Sequence, residues 1–259
     1  MLENSLNKKC IYHYTSAESF FKILERMQLK VSKYQDANDL AEVQLPLGMD
    51  AFKSSDCYMF IRERCGYISF SKDYIMHEKG IKYPTKGYKI PTMWAYYANS
   101  NKGVCIVVDE QKFLSLNKNI LGKHWLQNVK YKRFVNKNIL EPLKNIPSED
   151  IVEEYKDRLF FQKQKSWSHE HERRLCIIDP PQFLSIKDCI HEVILGNRFE
   201  NSDMLKLMSM LQNPKFECYQ QFNRHDFNMQ SNIDGMSSIL DDPFIKLDFE
   251  MDRINTFLQ

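Results

Sequence analysis

A polar stretch that runs straight into a buried strand sets the tightest limit on how this chain folds. Lys165-Ser166-Trp167-Ser168-His169-Glu170-His171-Glu172-Arg173-Arg174-Leu175 passes into Cys176-Ile177-Ile178, an apolar run of strand length. With a strand start near Ser168, alternation puts Ser168, Glu170, Glu172 and Arg174 on one side, and Trp167, His169, His171 and Arg173 on the other. Two carboxylates then stand about 6–7 Å apart along one strand face, which like-charge repulsion disfavours unless something uses them. Two readings stay open here. The glutamates can pair with Lys165, Arg173 or Arg174 at a solvated strand entrance, where ion pairs contribute little. Alternatively, one carboxylate stabilises an oxocarbenium-like cation through a sugar hydroxyl while the other acts as base toward the incoming nucleophile.

Composition removes several function classes. Lys and Arg number 36 against 34 acidic residues, so a net charge of +2 implies no bulk attraction to nucleic acid or acidic membrane. A local basic patch stays compatible with that balance. Only 8 glycines occur, and neither a dinucleotide-binding nor a P-loop glycine pattern is present. No elbow or comparable context supports Ser-His or Cys-His nucleophilic catalysis. The 7 cysteines lack any C-x-x-C pair and mostly sit in apolar runs such as Val104-Cys105-Ile106, as buried free thiols in a reducing compartment do. No signal-peptide core and no apolar run near the roughly 20 residues of a membrane span is found, so the expectation is a cytoplasmic protein away from membranes.

Along the chain, Tyr12-His13-Tyr14-Thr15 ends a β-type segment at a helix start, with Thr15 as N-cap and Glu18 completing a capping box. Phe20, Ile23, Leu24 and Met27 recur at helical spacing, predicting a helix over 16–27. A strand over 29–33, a turn at Asn38-Asp39 and helical sequence to Cys65 follow. Ile68-Ser69-Phe70-Ser71 alternates as a strand, with both serines on one side. Residues 72–91 read as a long loop, 91–98 as a short helix, and 103–109 as a buried strand. A strand over 126–131, a helix over 148–164 capped by Ser148, a strand over 192–195, a helix over 202–211 and a strand over 216–219 complete the pattern. The expected class is α+β: one domain over residues 1–220, with about eight short strands in two packed sheets and flanking helices. Residues 221–259 read as a tail or extension.

Other constellations are weaker. His13, Tyr14 and Thr15 offer a ring, a phenol and a hydroxyl beside a helix N-terminus, which suits a nucleotide ribose or phosphate and equally suits a capped helix. Trp94 and Tyr97 share a helical face that can stack on a flat ring or simply fill the core. His169 and His171 have the spacing of a zinc pair but lack a third ligand, so no metal is expected.

In order, the segments 12–15, Asn38-Asp39 with Glu42, 68–71, Met93-Trp94 with Tyr97, 103–109, Val129-Lys130-Tyr131, 165–173 and Ile194-Leu195-Gly196 resemble a bacterial family of unknown function, number 2971 among such domains. The resemblance spans residues 10–220. Its layout is similar to that of ADP-ribosyltransferases, which implies that fold and NAD as substrate. On that likeness His13, Tyr14 and Thr15 hold the adenosine ribose, Ser69 and Ser71 brace the site, and Trp94 or Tyr97 faces the nicotinamide. Glu172 then binds the nicotinamide ribose and stabilises its cation, Glu170 orients or activates the acceptor, and Arg173 stands with the nucleotide-binding residues. The implied function is cleavage of the nicotinamide glycosidic bond by a toxin or anti-phage effector, with a protein or nucleic acid as acceptor. The alternative is a non-catalytic nucleotide or nucleic-acid binding module using Lys165, Arg173 and Arg174 with the aromatic residues.

Overall fold

The structure, a computed structural model, describes residues 9–36, 56–133, 147–211 and 245–248. It is α+β, with strands in several sheets and short helices between them. Two compact units are distinguished among the described residues: 9–27, 91–112, 186–211 and 245–248 form one, and 28–36, 56–90, 113–133 and 147–185 the other. Among the described residues no helix is long and apolar enough to cross a membrane.

In the first unit, the Val104–Asp109 strand is buried at all six positions. It is paired antiparallel to Cys10–Thr15 on one side and Ile190–Leu195 on the other, and Ile190–Leu195 carries Ile245–Asp248. A strand sandwiched in this way reads as a continuous apolar run, which is why it was plain in the sequence. The Ala17–Arg26 helix turns Ala17, Phe20, Phe21 and Leu24 inward. Its cap is Ser16 rather than Thr15: the Ser16 hydroxyl accepts from the Ser19 N–H at 3.2 Å. Thr15 is still in the strand, paired with Val104, so its backbone is committed to the ladder. Gly103 sits where a Cβ would meet the Thr15 carbonyl oxygen at 2.1 Å and Ala98 Cα at 3.0 Å. Gly103→Ala must therefore push backbone apart, and we expect a loss of about 1–3 kcal/mol or more, read as a lower urea midpoint.

In the second unit, Glu172–Ile178 is the middle strand, antiparallel to Cys65–Lys72 and to His124–Asn128. The Asp56–Arg64 and Ser148–Leu159 helices cover a core that includes Ile61, Val152, Phe160, Phe161 and Cys176. Four expectations change here. The 29–33 strand breaks at Val31, because Gln28–Lys30 pairs with Phe183–Ser185 while Ser32–Lys33 pairs with Cys65–Lys72. The helix begun at Ser148 has Pro147 as its N-cap residue and no side-chain cap, and it stops at Leu159 because Gln162–Gln164 joins Lys130–Lys132 as a parallel strand. The expected loop over 72–91 contains a hairpin, Tyr74–Glu78 with Ile81–Thr85. Its turn is Lys79-Gly80, both at positive φ as a two-residue hairpin loop requires, and Pro84 is tolerated because the ribbon has only edge strands. The strands are accordingly more numerous and shorter than eight in two sheets. Asn38, Asp39, Glu42 and the expected strand over 216–219 lie outside the described residues, as does the boundary at 220.

The described cysteines are all free, five of them buried. Burial pushes the Cys57 thiol up to about 11 and, with the charges of Asp109 and Asp188, the Cys189 thiol up to about 12, so neither is a thiolate nucleophile near neutrality.

Candidate functional site: a buried four-charge cluster

The opening stretch does not enter its strand at Ser168. Lys165–Glu170 is a 3-10 helix, capped by His171 in the left-handed region at φ 45° and ψ 47°, and the strand starts at Glu172. Histidine is one of the few residues enriched in that conformation. The 3-10 turn and the strand thus deliver Glu170 and Glu172 from different elements, not from one pleat. Lys163 is supplied by the Gln162–Gln164 strand, where it lies opposite Tyr131.

The register Glu172↔Ser71 and Arg174↔Ser69 sets these four side chains on one face, since directly opposed residues point the same way. The Ser69 hydroxyl donates to Glu172 Oε1 at 2.5 Å, and Arg174 Nε donates to the same oxygen at 2.6 Å. Arg174 Nη2 donates to Glu172 Oε2 at 2.9 Å, and Lys163 Nζ reaches that oxygen at 3.4 Å. Lys163 also holds Glu170 Oε2 at 2.7 Å. All four charged residues are buried, with Arg174 only 1% and Lys163 7% exposed. Two cations thus meet two anions, so each buried charge has an opposite charge within hydrogen-bond distance. The cluster divides into Arg174 with Glu172 and Lys163 with Glu170, bridged by the longer Lys163–Glu172 contact.

The surroundings hold these groups in place. Arg174 Nη1 donates to the Phe160 carbonyl at 2.9 Å, and its guanidinium lies 5.1 Å from the Tyr67 ring centroid. Lys163 Nζ lies 4.9 Å from the Trp167 ring centroid. The Glu172 backbone N–H donates to the Tyr131 hydroxyl at 2.8 Å. Burial alone would raise the Glu172 carboxyl, but the charges of Arg174 and Lys163 and the hydrogen bonds from Arg174 and Ser69 outweigh it and hold the group well below the usual range. Burial and the neighbouring Glu172 charge push the Tyr131 phenol up, so it stays protonated.

A carboxylate has about four lone-pair sites, and Glu172 receives four donors. It is a fixed anion, suited to stabilising positive charge and unsuited to delivering a proton. Of its donors, Lys163 at 3.4 Å is the most distant.

The other expected residues fall as follows. Ser71 is 1% exposed, and its hydroxyl hydrogen-bonds to nothing among the described residues, so Ser69 alone braces Glu172. Arg173 lies on the opposite strand face and donates to Asn128 Oδ1 at 3.3 Å. His13, Tyr14, Thr15, Trp94 and Tyr97 lie in the first unit. There Trp94 is 1% exposed, edge-on to Tyr14 with centroids 5.2 Å apart, while His13 and Tyr97 are half-buried. Among the described residues no group of three or more metal-ligating side chains is placed to hold an ion. Lys163 and Tyr131 were missed as site residues, because neither belongs to the 165–174 segment. The available signal was the buried pair Phe160-Phe161, which marks the chain just before Lys163 as interior.

No curated protein and no solved structure matches the chain. One family does: the model described as a protein of unknown function (DUF2971) matches residues 93–175, a narrower span than the resemblance suggested, and one that holds Lys163, Glu170, Glu172 and Arg174.

Proposed function

We propose that the protein is an NAD-cleaving enzyme of the ADP-ribosyltransferase-like kind. The observation that carries this reading is the Ser69 hydroxyl donating to the buried, ionised Glu172 from the neighbouring strand. In the reaction the bond from ribose C1′ to nicotinamide breaks, and nicotinamide leaves with the bonding electrons. The positive charge left on the ribosyl group is stabilised by Glu172, which accepts a ribose hydroxyl in place of Lys163. An acceptor or water then adds at C1′, and its proton passes to Glu170 once Lys163 has shifted. Wild type should release nicotinamide from NAD, and Glu172→Gln should reduce the rate by about 10²–10³, the usual loss on removing one charge-stabilising group. Ser69→Ala, which leaves every charge in place, should lower the rate in the same direction. No nicotinamide release and no label transfer from wild type, across protein and nucleic-acid acceptors, would sink the reading.

The filled coordination of Glu172 favours a second reading, in which the cluster only ties the strands together and the protein is a nucleotide or nucleic-acid binding module. In that case binding is salt-dependent, Arg173→Ala weakens it, and Glu172→Gln leaves it intact.

A further inference from the structure

At the base of the Tyr74–Glu78 and Ile81–Thr85 hairpin lies a cleft of about 370 Å³, within the range of small-molecule sites. Lys72, Asp73, Tyr74, Thr85, Lys86 and His171 line it. The Tyr74 and His171 rings are stacked, with centroids 4.1 Å apart and planes 10° from parallel. Both rings are half-buried and both contribute wall, so a third flat ring can continue the stack. Burial, then the charges of Lys72 and His169, lowers the pKa of His171, which leaves a neutral ring with one donor and one acceptor nitrogen.

The charges in the cleft are unequal. Asp73 accepts from Lys86 Nζ and from the Gly87 N–H, each at 3.0 Å, so its own charge is already answered. Lys72 Nζ meets no carboxylate among the described residues. A flat stacking surface beside an unanswered ammonium suits a ligand with an aromatic ring at one end and an anion at the other. Residues 72–89 carry five lysines against two acidic residues, and Tyr83 stands 41% exposed on the same hairpin.

We propose that this cleft binds a nucleotide, its base extending the Tyr74–His171 stack and its phosphate held by Lys72 with Lys86. The nucleotide is either free or one unit of a single strand. This site shares no residue with the four-charge cluster and stands whether or not NAD is cleaved.

Calorimetric titration of the full chain tests it, using adenosine and uridine 5′-monophosphates, the two nucleosides and ribose 5-phosphate. The monophosphates should bind, with removal of base or phosphate weakening binding about tenfold or more, as one stacked base or one charged contact implies. Lys72→Ala should weaken the monophosphates about tenfold; this side chain is partly exposed and unpaired, so the variant keeps its fold. Tyr74→Leu should weaken them similarly. Lys82→Ala, on the hairpin but outside the cleft, should leave mononucleotide binding unchanged. In fluorescence anisotropy with a labelled ten-nucleotide single strand, tighter binding than the monophosphate and a loss on Lys82→Ala assign the site to nucleic acid, whereas equal or weaker binding assigns it to the free nucleotide. Ribose 5-phosphate binding as well as the monophosphates, no binding at millimolar concentration, or indifference to Lys72→Ala would each overturn the proposal.

Discussion

Replacing Arg174 with alanine is expected to lower the unfolding free energy by about 3–5 kcal/mol. The reason is what stays behind. Without the guanidinium, Glu172 keeps only Ser69 and the 3.4 Å contact to Lys163, in a place that is 3% exposed, and the Phe160 carbonyl loses its donor. Arg174→Lys should recover only part of the loss, because an ammonium cannot span both carboxylate oxygens and the carbonyl together. The paired change Glu172→Leu with Arg174→Met removes one neutral half of the cluster and should be less destabilising than Arg174→Ala alone. Urea midpoints of the three variants give the comparison, and an Arg174→Ala midpoint equal to wild type would show that the cluster is not desolvated. The acid side of the stability curve follows from the same pair. The Glu172 carboxyl is held below its ordinary value of 4.5 in the fold, so the unfolded chain binds the extra proton first as pH drops. Its contribution is complete above that value and drains away as pH falls below it. Arg174→Ala should flatten that decline.

Trp94→Ala should be nearly as damaging, at about 3–5 kcal/mol, since it empties the space of a fully buried indole and removes the edge-on contact to Tyr14. Trp94→Phe keeps an aromatic edge and should lose less. Thermal melting of the two variants checks this: stability should fall in both, in proportion to the volume removed.

These two residues also mark how far the sequence could be read. The Val104–Asp109 strand and the Ala17–Arg26 helix were legible because one pattern, continuous apolar or 3.6-periodic, dominates each of them. Within each strand alternation was legible too, Glu172 with Arg174 and Ser69 with Ser71, but the antiparallel pairing that sets all four on one face leaves no local pattern. The hairpin after Lys72 was hidden because its residues are mostly exposed on both faces and alternate weakly, leaving only the Lys79-Gly80 turn as a signal. The cluster's cations were half hidden. Arg174 sits in the motif, but Lys163 reaches Glu170 through a parallel pairing with Lys130–Lys132, and long-range pairing leaves no local pattern. Alternation placed Glu170 and Glu172 in parallel along one pleat, and it failed at His171, where the backbone changes hand.

That single residue acts as a phase shifter. Two carboxylates on one strand would project side by side and repel, whereas a left-handed residue between a 3-10 turn and a strand lets both converge on the Lys163 ammonium. The Glu-x-Glu spelling is therefore not portable. Moved into a regular strand of another protein it would yield two parallel acids about 6–7 Å apart on one face, and a β-branched residue at position 171 would spoil the convergence here without touching either glutamate.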